Sequence, residues 1–248
     1  MNSFFSPTAN CHVRWHHLPG IGIPMIFVHG LGCASSYEYP RVVYDPLFSG
    51  RAAILIDLPG CGYSQKPQDY SYSITDQAMV IVELVQHLGI KQCFLYGHSM
   101  GGSISIEAAK LLGRSLQGLV VSEPNFHPGG GFLSKEICSH SEDDFIDHIW
   151  QKMVMQDASP WAGSLAVDAP WAVWRGAASL ITGSNWLDSF VELPVKKQLI
   201  FGEHSLPDND FTSLAASGVS TITLPNCGHC MSWENPGALA EALSNFCK

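Results

Sequence analysis

The sequence feature that most constrains the fold is a serine, Ser99, that lies between a strand pattern and a helix pattern. Residues 92–96 form a short apolar and aromatic run, typical of a buried strand, and residues 103–112 have the small and apolar side chains of a helix packed on a sheet. A sharp turn between them leaves little room beside the serine, and Gly97 and Gly101 meet this requirement. We therefore expect the Ser99 hydroxyl at the carboxyl end of a strand and the amino end of a helix, where negative charge is favoured.

Strand and helix patterns alternate along the rest of the chain. Apolar or alternating runs typical of strands occur at residues 52–56, 117–122, 195–201 and 219–224, the last with the alternation of an edge strand. Residues 10–28 indicate a pair of strands broken by Leu18-Pro19-Gly20. Ser73 and Asn235 are placed to cap helices that begin at Ile74 and Pro236. This order predicts one α/β domain whose sheet is covered on both faces.

The periodicity changes between residues 125 and 190, where new helix starts follow Ser141, Ser159-Pro160 and Asp168-Ala169-Pro170. Five of the seven tryptophans fall in this segment: Trp150, Trp161, Trp171, Trp174 and Trp186. We interpret residues 125–190 as a helical cap inserted into a core domain formed by residues 1–124 and 191–248. Most of these tryptophans are expected to hold the cap together, and one or two to line a pocket beneath it.

Composition limits the partners and the compartment. The formal net charge of −9 argues against nucleic acid or an anionic membrane as a partner. The chain lacks a signal-peptide pattern at its start and has no apolar run of the roughly 18 residues that a membrane span needs, so we expect a cytoplasmic protein. We expect it to be a monomer or a homodimer. Eight scattered cysteines are typical of reduced thiols, and neither Cys227-Gly228-His229-Cys230 nor the cluster of His12, His16 and His17 has the partners of a metal site. No cofactor or metal is expected.

Four motifs, taken in order, resemble those of the α/β-hydrolase fold family. They are His29-Gly30-Leu31-Gly32, the loop from Asp57 to Ser64, the turn from Gly97 to Gly102, and Gly228-His229 followed by Glu234-Asn235-Pro236. The resemblance runs from about Met25 to the C-terminus, and it implies a mostly parallel central sheet with helices on both faces and an inserted helical cap. It also implies that Ser99 is the nucleophile, that His229 is its base, and that the N–H groups of Leu31 and Met100 form an oxyanion hole. Asp57 would brace its own loop and take no part in the chemistry.

The third member of the triad is where the sequence departs from the usual pattern of the family. The family commonly has an aspartate three residues after a glycine at the end of the penultimate strand, but that frame here reads Gly202-Glu203-His204-Ser205. The acid is then Glu123, or Asp208 or Asp210 in a shifted loop, or the triad is incomplete and the protein is not a hydrolase. We favour Glu123, because it follows the strand after the elbow helix and keeps the chain order serine, acid, histidine. Its context, Glu123-Pro124-Asn125, also resembles the Glu-Gly-Asn sequence of some hydrolases.

These residues predict a serine hydrolase that cleaves a small, apolar carboxylic ester through an acyl-enzyme. A serine at position 99 excludes haloalkane dehalogenase and epoxide hydrolase chemistry, because both need a carboxylate nucleophile there. Two alternatives remain. The same residues can cleave a carbon–carbon bond, a thioester or a lactone, or the protein is a ligand-binding receptor with vestigial turnover.

Overall fold

The computed structural model describes residues 1–160 and 162–248, which form an eight-stranded sheet with helices on both faces. The strands are β1 (Asn2–Ser6), β2 (Cys11–Leu18), β3 (Ile21–Val28), β4 (Arg51–Asp57), β5 (Cys93–His98), β6 (Leu116–Ser122), β7 (Lys196–Gly202) and β8 (Ser220–Leu224). The helices up to the end of β6 are α1 (Ser35–Glu38), α2 (Pro40–Val43), α3 (Ile74–His87) and α4 (Met100–Leu112). Those between β6 and β7 are α5 (Phe132–Ile137), α6 (Glu142–Asp144), α7 (Trp150–Gln156), α8 (Ala162–Leu165), α9 (Pro170–Ile181) and α10 (Trp186–Glu192). The last helices are α11 (Asn209–Ala216), α12 (Met231–Glu234) and α13 (Pro236–Phe246).

The strand order in the sheet is β1-β2-β4-β3-β5-β6-β7-β8. The pairs β1/β2 and β2/β4 are antiparallel, and every other pair is parallel. This confirms the predicted α/β fold with a mostly parallel sheet, and β8 forms its edge as predicted. The sequence did not indicate β1, which pairs with β2 as a hairpin.

The prediction that residues 10–28 form a pair of strands is wrong about their pairing. β4 lies between β2 and β3, so that Ala53 is opposite Leu18 on one side and Met25 on the other. The physical reason is that an alternating or apolar pattern decides which face of a strand is buried, but it does not decide which strand lies beside it. β4 is buried along almost its whole length and therefore suits a position with neighbours on both sides.

Alternate residues of the central strands divide the core into two layers. In β3, Ile26 and Val28 pack into the layer that contains residues of α3 and α4, while Met25 and Phe27 pack into the layer that contains residues of α13. All four side chains are buried. This alternation follows from the two-residue repeat of a strand, and it holds both helix layers against one rigid sheet.

Three of the helix starts that the sequence indicated have side-chain caps. The Ser73 side chain accepts a hydrogen bond from the Asp76 N–H at the start of α3, and Asn235 accepts one from the Ala238 N–H at the start of α13. The Ser141 side chain caps α6 in the same way. Across the described residues, we find no helix with the length and hydropathy of a membrane span.

Candidate active site

Ser99 occupies a strained turn between β5 and α4. Its backbone has a φ of 53° and a ψ of −123°, a conformation that L-residues rarely adopt. A Cβ at Gly97 would lie 2.3 Å from the Gly101 carbonyl oxygen, and a Cβ at Gly101 would lie 2.3 Å from the Val28 carbonyl oxygen. Both distances are far below van der Waals contact. Only glycine fits at either position, and the two glycines hold the serine at the sheet edge.

The structure brings His229 and Glu123 together across 106 residues of sequence. His229 Nδ1 lies 2.7 Å from Glu123 Oε2. The other carboxylate oxygen, Oε1, accepts a hydrogen bond of 2.9 Å from the Gly202 N–H. Because Glu123 directly follows β6 and Gly202 ends the neighbouring strand β7, the register of the sheet places this backbone N–H beside the carboxylate. The pair therefore has a fixed orientation, in which Nδ1 of the ring is engaged and Nε2 is left for another partner.

The surroundings of Glu123 favour its charged form. Burial by itself would raise the pKa of this carboxyl, but the hydrogen bond and charge of His229, the Gly202 N–H and the Ser205 hydroxyl outweigh it and lower the pKa below its usual value. Ser205 stands where the family commonly has its acid. Here its hydroxyl supports the carboxylate that comes from the neighbouring strand.

Asp208 and Asp210 are engaged elsewhere. Asp208 caps α11, where its side chain accepts a hydrogen bond of 2.8 Å from the Phe211 N–H. Asp210 forms an ion pair with His127, with a distance of 2.9 Å between its Oδ2 and the ring Nε2. Of the three carboxylates that the sequence offered as partners for His229, the structure places Glu123 against the ring.

Ser99, His229 and Glu123 all line one cavity, whose volume is about 460 Å³. Its walls also include Leu31, from the loop after β3, and side chains from α5 and α9 such as Leu180. The side chain of Glu123 is 8% exposed and that of His229 is 51% exposed, so the carboxylate is shielded from solvent and the imidazole is not. The three residues that the sequence predicted as a triad thus line one small, mostly apolar cavity.

Met100 and the loop that carries Leu31, the two expected oxyanion donors, lie next to Ser99. Met100 is the first residue of α4, and the first N–H groups of a helix have no acceptor within it. On the other side, a Cβ at Gly30 would lie 3.3 Å from the Ser99 Cβ, which shows how closely the Leu31 loop approaches. His29 fixes this loop, because its Nε2 accepts the Leu58 N–H at 3.0 Å while its Nδ1 donates to the Gly30 carbonyl at 2.9 Å.

Asp57 holds a neighbouring loop. Its side chain accepts hydrogen bonds from the Ser36 N–H, the Ser36 hydroxyl and the Tyr63 N–H. It is buried, and it does not line the cavity. These contacts are those of the structural brace that the sequence predicted.

His98 is a residue of the site that the sequence reasoning missed. Its ring centroid lies 4.6 Å from that of His229, and its Nδ1 is 2.9 Å from the Ser122 hydroxyl. Burial, followed by the charge of the nearby His229, lowers the pKa of His98 to about 3. A neutral ring therefore packs against the His229 ring. The position between Gly97 and Ser99 was the available signal, since a residue there directly precedes the serine at the turn.

Glu38 is the second residue that was missed. It lines the cavity and is 4% exposed, and its Oε1 accepts a hydrogen bond of 2.7 Å from the Ser232 hydroxyl. Burial raises the pKa of Glu38 to about 7, against the opposing effects of Ser232 and the His229 charge. The signal in the sequence was an isolated carboxylate in an aromatic stretch, Tyr37-Glu38-Tyr39, where the side chain has little water around it.

The expectation that tryptophans of the insert line the pocket is wrong for the four that the structure describes; Trp161 lies outside the described residues. Trp186 donates its Nε1–H to Glu107, and Trp174 donates to the His140 carbonyl, so both hold the insert and its surroundings together. The cavity is instead lined by Trp233, from α12. The sequence shows that the tryptophans are concentrated in residues 125–190, but it does not show which way their side chains point.

The described residues contain no group of three or more histidine, cysteine, aspartate or glutamate side chains arranged to hold a metal ion. Cys227 and Cys230 are both free, as are the other six cysteines. Burial raises the pKa of Cys227 and of Cys230 to about 11, so both are thiols at neutral pH.

A strained serine at a strand-to-helix turn, with a paired histidine and carboxylate in the same cavity, is the arrangement typical of the α/β-hydrolase fold. The profile of the Alpha/beta hydrolase family matches residues 25–242, and the chain belongs to this family. The family prediction made from the four motifs is thereby confirmed.

Known proteins agree with this assignment over different lengths. The uncharacterized hydrolase YugF of Bacillus subtilis (strain 168) is 36% identical over 86 residues, which span 34% of this chain and 30% of that protein. The chain thus spans about a third of the length of the first curated relatives it matches. The putative carbamate hydrolase RutD of Pseudomonas savastanoi pv. phaseolicola (strain 1448A / Race 6) is 28% identical over 239 residues, or 89% of this chain and 82% of that one. A thermophilic esterase from Thermogutta terrifontis has the same fold, with a TM-score of 0.81, 19% identity and coverage of 98% and 96% of the two chains.

Proposed function

We propose that this protein hydrolyses a small, uncharged carboxylic ester through an acyl-enzyme formed on Ser99. The Ser99 oxygen attacks the carbonyl carbon while His229 Nε2 takes the hydroxyl proton. The tetrahedral oxyanion accepts hydrogen bonds from the N–H groups of Leu31 and Met100. Collapse of this intermediate breaks the ester C–O bond, and the alcohol leaves with the proton from His229. Water then attacks the acyl group by the same route, which releases the carboxylic acid and restores Ser99.

The observation that carries the proposal is the 2.7 Å contact between His229 Nδ1 and Glu123 Oε2 in the cavity that also contains Ser99. A serine becomes a useful nucleophile only beside a base, and a histidine base needs an acceptor that fixes its tautomer and stabilises its charged form. The low pKa of Glu123 keeps that acceptor ionised at neutral pH. Glu123 is therefore the triad acid in this proposal.

The size and walls of the cavity support a small and uncharged substrate. Its volume of about 460 Å³ lies at the low end of ligand pockets, and Phe132, Leu133 and Leu180 give it apolar walls. These residues belong to the segment 125–190, which we propose is a cap that shields the reaction from water. An anionic acyl or alcohol group would lose its hydration there, and none of the described lining residues is a lysine or an arginine.

The proposed acid is tested by comparing three isosteric variants. Glu123→Gln should lower kcat for p-nitrophenyl butyrate by about 10⁴, the loss seen for the matching aspartate-to-asparagine change in a serine protease triad. Asp208→Asn and Asp210→Asn are the matched controls. Each should lower kcat less than about tenfold, because Asp208 caps a helix and Asp210 pairs with His127. If either control loses more activity than Glu123→Gln, the acid has been assigned to the wrong residue.

The rival class is a ligand-binding receptor on the same fold. Stopped-flow hydrolysis of an activated phenyl ester separates the two, because an enzyme releases a burst of phenol and then turns over steadily. A burst of one equivalent without further turnover would favour the receptor.

A further inference from the structure

Helix α9 has a buried glycine, Gly176, in its interior, although glycine lowers the stability of a helix relative to alanine. Its φ does not lie in the left-handed region that would favour glycine. The structure gives a steric reason instead, because a Cβ at Gly176 would lie 3.2 Å from Leu31 Cδ1 and 3.3 Å from Met100 Sδ. Both distances are shorter than the roughly 3.5–4.0 Å of an ordinary contact. The backbone of α9 therefore packs directly on these two side chains.

Leu31 and Met100 are the two residues whose N–H groups are the proposed oxyanion donors. They come from different parts of the chain, the loop after β3 and the first turn of α4. Leu31 also packs against the apolar cluster that includes Val173 and Ala177 of α9, as well as against the main core. One helix of the segment 125–190 thus contacts both proposed donors.

Helix α9 is bonded to the core along its length. At its start, the Ala169 N–H donates to the Gly60 carbonyl at 2.9 Å. Near its end, the Ser179 hydroxyl accepts a hydrogen bond of 2.9 Å from the Ile74 N–H, at the start of α3. Between these points, Arg175 donates to two carbonyl groups of the loop before α3. The position of α9 is therefore fixed by the same core that carries the nucleophile.

We propose that α9 positions the oxyanion hole, and that Gly176 is the positioning residue that allows the helix to pack on Leu31 and Met100. The proposal rests on the proposed ester hydrolysis, and it gives the inserted segment a role beyond shielding the reaction from water. An added methyl group would displace both side chains by a few tenths of an ångström. Hydrogen bonds to an oxyanion depend on donor distance and angle, so such a displacement weakens the stabilisation of the transition state.

Gly176→Ala tests the contact directly. The amide NMR signals of Leu31 and Met100 should shift, and kcat for p-nitrophenyl butyrate should fall at least about fivefold with KM unchanged, because oxyanion contacts form only in the transition state. Gly237→Ala is the matched control. It adds the same methyl group to a helix, its nearest neighbour would be at 3.4 Å, and it does not line the cavity, so both readouts should stay as in the wild type.

An inhibitor separates a displaced oxyanion hole from a partly unfolded protein. Pentyl trifluoromethyl ketone forms a tetrahedral adduct with a nucleophilic serine, and the oxygen of this adduct occupies the oxyanion site. Its Ki should rise in Gly176→Ala by about the factor by which kcat falls. A smaller folded fraction would lower kcat but would leave the Ki unchanged.

Truncating the two side chains should restore the function of the variant. In a Leu31→Ala/Met100→Ala background the added methyl has room, so Gly176→Ala should there change kcat by less than about twofold. Ser179→Ala carries the same test if the methyl prevents folding: it releases one end of α9 without adding an atom, and kcat should fall and the Ki rise by a common factor of at least about two. Unchanged kcat and Ki in a folded Gly176→Ala, or an equal loss in the truncated background, would overturn the proposal.

The NMR readout distinguishes this proposal from the proposed hydrolysis, because it needs no substrate. Shifted Leu31 and Met100 amide signals in Gly176→Ala, together with a wild type that hydrolyses no ester, would refute the hydrolysis and retain the positioning of the two N–H groups by α9. Ester turnover by the wild type with unshifted signals in Gly176→Ala would refute the positioning alone.

Discussion

Glu38 should make the stability of the protein fall as the pH rises from acid to neutral. Burial raises the pKa of this carboxyl from 4.5 to about 7 in the folded state. A carboxyl whose pKa is raised on folding contributes its stability fully below its unfolded pKa, and loses that contribution as the pH rises through the folded pKa. The loss therefore occurs between about pH 4.5 and pH 7.

The magnitude follows from the size of the shift. Each pKa unit corresponds to about 1.4 kcal/mol, so the full effect is roughly 3 kcal/mol. About 2.5 kcal/mol of it falls between about pH 5 and pH 8. Because Glu38 is 4% exposed, solvent screening should reduce this value little.

The assay is urea unfolding of the wild type and of Glu38→Gln at pH 5 and at pH 8. The unfolding free energy of the wild type minus that of the variant should be about 2.5 kcal/mol lower at pH 8 than at pH 5. His98 and His29, whose pKa values burial lowers, act in the opposite direction, and they cancel in this difference. The exposed Glu241→Gln controls for the loss of one surface charge. A difference that is flat with pH, or that rises with it, would refute the reasoning.

Two further predictions concern the elbow and the cavity. Gly101→Ala should lower the unfolding free energy by at least about 2 kcal/mol or prevent soluble expression, because its Cβ would meet the Val28 carbonyl oxygen at 2.3 Å. Gly237→Ala, whose nearest neighbour would be at 3.4 Å, is the control and should cost nothing measurable by urea unfolding. In a series of p-nitrophenyl esters from acetate to palmitate, kcat/KM should peak at short to medium chains, because the cavity holds about 460 Å³. A maximum at palmitate, or a preference for a dicarboxylate half-ester, would contradict the small, uncharged substrate.

The order of the motifs was enough to predict the fold class and the family, because strand, glycine turn and helix are adjacent in the sequence around Ser99. The order of strands was not predictable in the same way. The pairing of β2 with β4 depends on long-range contacts, such as Leu18 with Ala53, that no local pattern specifies.

The candidate site was likewise predictable only where local sequence patterns determine it. Glu123 was proposed from its position at a strand end, and the contact with His229 depends on how β6 and β7 align at Gly202. Glu38 and Trp233 lie 195 positions apart in the chain, yet they line the same cavity. Their shared position in the cavity wall is a property of the packed structure, and neither residue belongs to a sequence motif that predicts it.

The most direct test of the central claim is whether Ser99 is an activated nucleophile. The wild type and Ser99→Ala are incubated with a fluorophosphonate probe at neutral pH, and intact mass spectrometry counts the adducts, with circular dichroism as the check that both proteins are folded. The proposal predicts one adduct on the wild type, mapped to Ser99 by peptide analysis, and none on Ser99→Ala. An unlabelled but folded wild type, or a Ser99→Ala protein that is still labelled, would contradict it.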